Sequence, residues 1–175
     1  MRGAHQGDNA AAALTAVETF FGGPLSPELI TIGFENVVMP GRFEIVNRHP
    51  YVVLDGAHNA AGADVVAAVV DEEFSEVAER IYVIGLLSGR DPVAMLEALD
   101  AQSARLVIAT APSTSRAIPA QDVARAAVSL DIDVVVVEDV RGAVDRALDE
   151  ALPDDLVLIT GSLYVVGEAR GRLVS

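Results

Sequence analysis

The chain contains no cysteine, no tryptophan and no lysine; all 12 of its basic Lys/Arg residues are arginine. Without cysteine there are no disulfides and no thiolate metal sites, which fits a reducing compartment. Without lysine there is no Walker loop, Gly-x-x-x-x-Gly-Lys-[Ser/Thr], whose ammonium must reach the β- and γ-phosphates. Schiff-base and pyridoxal chemistry are excluded on the same ground. Positive charge is scarce as a whole. A formal net charge of −14 leaves no basic footprint to release counterions from nucleic acid or to meet anionic lipid, so neither is expected as a partner. No apolar run approaches the ~20 residues of a membrane-spanning helix, and no basic segment leads into an apolar one at the N-terminus, so a cytoplasmic protein is expected. His5, His49 and His58 lie too far apart in sequence for a local metal motif, and no metal ligand is assigned.

What remains is a globular pattern. The 175 residues are 51% hydrophobic, enough for one substantial core with a short appendage. From Asn9 to Phe21 an Ala-rich run has helical spacing, with Asp8 as its expected N-cap and Gly22-Gly23-Pro24 as its stop. Ser26-Pro27-Glu28 starts a second short helix, running to about Phe34. Past the Gly/Pro-rich stretch at 22–41 the pattern alternates. Short apolar runs at Phe43–Asn47, Tyr51–Leu54, Ile81–Ile84, Leu106–Ala109, Val134–Val137 and Leu156–Ile159 read as strands, with helical patterns near 60–70, 92–100, 119–130 and 140–151. Near-continuous apolar strands separated by helices predict a doubly wound, mostly parallel, Rossmann-like α/β sheet flanked by helices, the first strand being an edge variation. The expected division is residues 1–38 as helical appendage and linker and 39–175 as the α/β domain. The acidic residues, Asp71-Glu72-Glu73 and Asp154-Asp155 among them, are expected on solvated helix faces and loops.

In a parallel sheet the polar groups that follow each strand gather on one edge, where ligands bind. Tyr51-Val-Val-Leu54 breaks there into Asp55-Gly56-Ala57-His58-Asn59. Asp55 is placed to accept ribose hydroxyls, its alternative being an N-cap for the helix near Ala60. His58 could orient a carboxylate or phosphate, or be a solvated or capping residue. Arg42, after the Pro40-Gly41 turn, could clamp a polyphosphate bidentately or form a surface ion pair. Gly161-Ser162 offers amides and a hydroxyl to an anion, although turn chemistry explains it equally well. Asn59, Arg90 and Arg116 are further candidates on the same edge. Ser113, Thr114 and Ser115 have no His or acid nearby in sequence that would make a hydrolase triad, and no catalytic residue is assigned.

Four ordered blocks carry a resemblance: Gly3-x-His5-Gln6-x-x-Asn9-Ala10-Ala11, Pro40-Gly41-Arg42-Phe43-Glu44, Leu54-Asp55-Gly56-Ala57-His58-Asn59, and Thr160-Gly161-Ser162-Leu163-Tyr164-Val165-Val166-Gly167-Glu168. Together they resemble the C-terminal domain of the folylpolyglutamate synthase/dihydrofolate synthase family, within the Mur ligase superfamily, preceded by the last helix of its central ATPase domain. The resemblance implies an ATP-dependent ligase that joins L-glutamate to folate or dihydropteroate through an acyl phosphate. It implies that Asn9 contacts ATP, Arg42 its phosphates and Asp55 its ribose, and that His58 and Ser162 meet the incoming glutamate. It implies Mg2+ as cofactor, with the magnesium ligands and the P-loop in an N-terminal ATPase domain acting in cis or in trans, so the isolated chain is expected to be inactive. Substitutions at Arg42 and Asp55 are expected to raise the ATP requirement and leave the fold intact. Many relatives carry Asp-Lys-Asp where this chain has Gly89-Arg90-Asp91, which leaves that loop's role open. The alternatives are a Mur-type ligase for a cell-wall precursor and a stand-alone nucleotide- or glutamate-binding module.

Overall fold

The computed structural model describes residues 4–35, 37 and 39–174, with the side chains of residues 4 and 5 outside that description. Gly3 and the His5 side chain of the first motif therefore lie outside the described residues. The chain forms two compact units, Met1–Met39 and Pro40–Ser175.

The first unit is a helical pair, α1 (Ala4–Phe21) and α2 (Pro27–Glu35). The helix α1 starts earlier than its sequence signals indicate, so Asp8 lies within it and is not its N-cap. It ends where Glu18 turns back, its carbonyl accepting from Gly23 N–H and its carboxylate from Leu25 N–H. Leu14, Val17, Leu25, Leu29, Ile30 and Phe34 line an open apolar groove of about 190 Å3 between the two helices.

The second unit is a six-stranded sheet in the order β1-β2-β6-β3-β4-β5, with β1 Glu44–Arg48, β2 Tyr51–Leu54, β3 Arg80–Ile84, β4 Leu106–Ala111, β5 Val134–Asp139 and β6 Leu156–Thr160. All neighbours are parallel except the edge pair β1/β2, as the patterning predicts. Helices α3 (Ala60–Glu73), α4 (Pro92–Ala98), α5 (Ala120–Ser129), α6 (Val140–Glu150) and α7 (Leu163–Leu173) cover it. Period-2 alternation sorts each strand between two cores. Leu156 and Leu158 of β6 pack with Val66 and Val70 of α3, Leu96 of α4 and Val123 of α5. Val157 and Ile159 pack on the opposite face with Val144 of α6 and Val165 and Val166 of α7. Each fully buried Leu or Ile contributes about 1.5–3 kcal/mol, and because both faces are covered the inner strands β2, β6, β3 and β4 are apolar at nearly every position.

The last helix, α7, is not foreseen by the sequence reading, because Gly167 and Gly171 interrupt its apolar periodicity. The usable signals were Ser162 as N-cap and Arg170 and Arg172 in the final turn. Asp155 also departs from expectation. It is wholly buried, its Oδ2 accepting from Leu152 N–H at 2.8 Å and lying 3.7 Å from the Arg105 guanidinium. The loop entering β6 turns its backbone inward, and this carboxylate satisfies it.

Candidate functional site

The topology creates a crevice at one edge. The connections from β2 to β3, β3 to β4 and β4 to β5 all run over the α3/α4/α5 face, and the chain then returns through α6 to place β6 between β2 and β3. From β2 the chain leaves into α3 on one face; from β6 it leaves into α7 on the other. Such a switch point is where doubly wound sheets bind ligands, at the carboxyl ends of their strands.

Asp55, His58, Asn59 and Ser162 all stand there, following β2 and β6. The antiparallel hairpin adds Arg42, because Glu44 at the start of β1 pairs with Leu54 at the end of β2. The Arg42 guanidinium lies beside Gly56, where an added Cβ would come within 3.4 Å of its Nη1. Arg42 is exposed and makes no ion pair among the described residues. The ion-pair alternative raised by the sequence is thus not what the fold uses.

Asp55 is 8% exposed. Its Oδ2 accepts from Phe43 N–H and its Oδ1 from Ala57 N–H, both at 2.8 Å. It is therefore a tie between the Arg42 loop and the end of β2, which corrects the expectation that it leaves the fold alone. The capping role considered for it belongs to Asn59, whose Oδ1 accepts from Gly62 N–H at 2.8 Å at the start of α3.

His58 is half-buried, with Nδ1 3.0 Å from the Gly56 carbonyl oxygen. A carbonyl only accepts, so Nδ1 carries the hydrogen and Nε2 is left as the acceptor of the neutral ring. Ser162 is 1% exposed and its Oγ caps α7, accepting from Val165 N–H at 3.2 Å. Its hydroxyl hydrogen is the group it has left to offer.

The strand ends here touch backbone to backbone. Gly161 sits at φ 104°, and a Cβ on it would lie 2.5 Å from the Gly85 carbonyl oxygen. Gly161 N–H donates to Ala57 O at 3.0 Å, and Asp55 N–H to Ile159 O at 3.0 Å. Glycine at 85 and 161 is a packing requirement of β6, β3 and β4, whereas the sequence offers anion-binding amides or turn chemistry as the reasons for Gly161.

Arg90 and Arg116 are exposed on two loops zipped into one. Ser88 donates to Arg116 O through its N–H at 2.7 Å and its Oγ at 2.9 Å, and Ile118 N–H donates to Leu86 O. From α7, Glu168 accepts from Ser113 N–H at 2.7 Å and from Ser113 Oγ at 3.3 Å. The serine is thus held by an acid 55 residues away, as a loop anchor and not as a nucleophile. Asn9 stands exposed on α1, in the other unit, with Nδ2 3.4 Å from Gln6 Oε1. Among the described residues no group of three or more His, Cys, Asp or Glu side chains is arranged to hold a metal ion, and no helix is long and apolar enough to cross a membrane.

The fold and this edge define a doubly wound α/β domain that presents a cationic side chain, an imidazole and a carboxylate at its switch point. The sequence profile of the family described as Mur ligase, glutamate ligase domain matches residues 41–163, and the chain belongs to that family. A dihydrofolate synthase/folylpolyglutamate synthase of Mycobacterium tuberculosis is 33% identical over 189 residues, which covers 97% of this chain and 38% of that protein. A probable bifunctional folylpolyglutamate synthase/dihydropteroate synthase of Halobacterium salinarum is 36% identical over 171 residues, 97% of this chain and 20% of its own length. Among solved structures, Mycobacterium tuberculosis folylpolyglutamate synthase complexed with ADP and AMPPCP superposes with a TM-score of 0.89 at 32% identity, covering 100% of this chain and 41% of that one. Escherichia coli FolC in complex with DHPP and ADP superposes with a TM-score of 0.81 at 27% identity, covering 93% and 38% respectively. The chain thus spans from 20% to 41% of the length of these relatives.

Proposed function

We propose that this chain is the carboxyl-terminal, glutamate-ligase part of an ATP-dependent folylpolyglutamate/dihydrofolate synthase. The observation that carries the reading is the Arg42 guanidinium, without an ion pair among the described residues, held beside the Asp55–His58 strand end, in a chain whose relatives are named for that activity. In the reaction a folate or dihydropteroate carboxylate oxygen attacks the γ-phosphorus of ATP and ADP leaves. The glutamate amine then attacks the acyl carbon, loses a proton, and phosphate departs.

The chain's own residues have definite tasks in that scheme. Arg42, exposed and without an ion-pair partner among the described residues, meets polyphosphate charge. Asp55 accepts ribose hydroxyls at the end of β2. His58, hydrogen-bonded through Nδ1 to Gly56 O, turns Nε2 or its imidazolium hydrogen toward the glutamate, with Ser162, Arg90 and Arg116 as further anion contacts. Asn9 contacts ATP from the helical unit. Magnesium would neutralise developing phosphate charge; the described residues hold no cluster suited to it, so its ligands are assigned to the ATPase domain. The protein is read as acting in the cytoplasm.

The test is phosphate release by the complete protein with ATP, L-glutamate and either tetrahydrofolate or dihydropteroate. Release that requires all three substrates supports the reading, and Arg42→Ala should then raise the KM for ATP at least about tenfold, the loss of a charge-assisted contact. Turnover with a UDP-linked muropeptide and none with any folate would overturn it.

A further inference from the structure

The loop that carries Arg42 is gripped by two carboxylates, and Asp55 is only one of them. On the other side, Glu44 Oε2 accepts from Gly41 N–H at 2.8 Å. The same carboxylate accepts from Arg170 Nε, at 3.1 Å to Oε1 and 3.2 Å to Oε2. Arg170 comes from α7, 126 residues along the chain. It shares a helix face with Leu163 and Val166, which lie seven and four positions before it. Those two side chains press on the same loop system: a Cβ on Gly56 would meet Leu163 Cδ2 at 2.4 Å, and one on Gly41 would meet Val166 Cγ1 at 2.7 Å.

The backbone around Arg42 needs such support. Gly41 and Phe43, on either side of it, have φ of 68° and 46°, and for phenylalanine the left-handed region is intrinsically disfavoured. Phe43 is held there by its N–H on Asp55 and its ring in the core, 5.9 Å from that of Phe74. Gly41 is held by its N–H on Glu44 and by its carbonyl, which accepts from Gly56 N–H at 2.9 Å. Charge is apportioned at the same time. Glu44 lies two residues from Arg42 in sequence, yet it is engaged by Arg170, and Arg42 is left without an ion pair among the described residues.

We propose that Glu44 is a positioning residue. Backed by Arg170 from α7, it fixes the 40–43 loop and leaves the Arg42 guanidinium free for a polyphosphate ligand. The proposal rests on the reading of Arg42 given above. It explains why a carboxylate that repels a polyphosphate stands so near the group that binds one: its charge is spent on Arg170.

The test uses the complete protein with Arg42→Ala, Glu44→Ala, Glu44→Gln and the double variant Arg42→Ala/Glu44→Ala. Glu44→Ala is expected to raise the KM for ATP about tenfold with kcat within about twofold. Glu44→Gln keeps an oxygen for Gly41 N–H and should recover most of that loss. The double variant should be no worse than Arg42→Ala alone, since the two residues act as a unit. Additive losses, or a Glu44→Ala effect confined to kcat, overturn the proposal. Failure of the underlying site reading has a different mark, an unchanged KM for ATP in Arg42→Ala itself. Hydrogen exchange in the ligand-free protein gives a second readout. The Gly41 amide should exchange about tenfold faster in Glu44→Ala than in the parent, and unchanged protection overturns the proposal whatever the kinetics.

Discussion

Replacing Asp55 by alanine should unfold the α/β unit more easily as well as weaken nucleotide binding. The carboxylate is 8% exposed and each oxygen accepts a backbone N–H at 2.8 Å. Its removal strands the Phe43 and Ala57 N–H groups, and an unsatisfied buried donor costs about 1–3 kcal/mol. Two of them set a range of roughly 2–6 kcal/mol, and entry of water at a strand end close to the surface should hold the loss to about 3 kcal/mol. A second consequence follows from φ 46° at Phe43. Without the tie this backbone relaxes toward the extended region, and the Phe43 ring, buried against Phe74, is drawn from the core. Asp55→Asn should fall between parent and alanine, since its amide oxygen still accepts one N–H while its NH2 faces the other donor. Urea unfolding followed by far-UV circular dichroism reads the loss directly, and melting should drop by about 10 °C for a domain of this size. An Asp55→Ala midpoint within about 0.5 kcal/mol of the parent would refute this account and return Asp55 to a purely ligand-facing role.

Gly161→Ala should be among the most damaging single substitutions: its Cβ would sit 2.5 Å from the Gly85 carbonyl oxygen at φ 104°, and a loss of about 3 kcal/mol or more is expected, whereas an unchanged melting temperature would mean that the strand ends are looser than described. Asn59→Ala removes the α3 cap bond to Gly62 N–H and should cost about 1 kcal/mol, read as faster amide exchange in the first turn of α3; unaltered exchange there would count against the cap. Burial pushes the Tyr82 phenol above its ordinary 10.0, and the Arg80 guanidinium offsets part of that rise. The folded state therefore holds this proton more tightly than the unfolded chain, so the contribution is whole below about pH 10 and is lost as pH rises through the folded value. Urea midpoints should fall in that alkaline window, and Tyr82→Phe should flatten the fall; an equal slope in both proteins would exclude Tyr82 as its source.

The apolar runs of β2, β3, β4 and β6 and the helical patterns between them were legible because a strand buried on both faces must be apolar at nearly every position, and β5, at the sheet edge, was legible from its four successive valines. The class of fold and the edge on which polar groups collect follow from that pattern alone. Arg42, Asp55, His58 and Ser162 were legible as candidates because each is a chemically capable group placed just outside an apolar strand or a glycine turn. Composition also set bounds, since a chain with no lysine has no Walker P-loop lysine, and a net charge of −14 makes nucleic acid an unexpected partner.

The work those residues do was decided by partners distant in sequence. Asp55 reads locally as a cap or a ligand group, and only the antiparallel β1/β2 hairpin brings Phe43 N–H onto its carboxylate. Whether Arg42 was paired or free depended on Glu44, and the engagement of Glu44 depended on Arg170 at the far end of the chain. The helix α7 is illegible in the sequence because its two internal glycines weaken the apolar periodicity, and its packing against β6 and α6 is set by the fold. Local spacing reports the identity and the face of a group; hydrogen-bond and ion-pair partners are set by which strands the chain returns to, and that information is global.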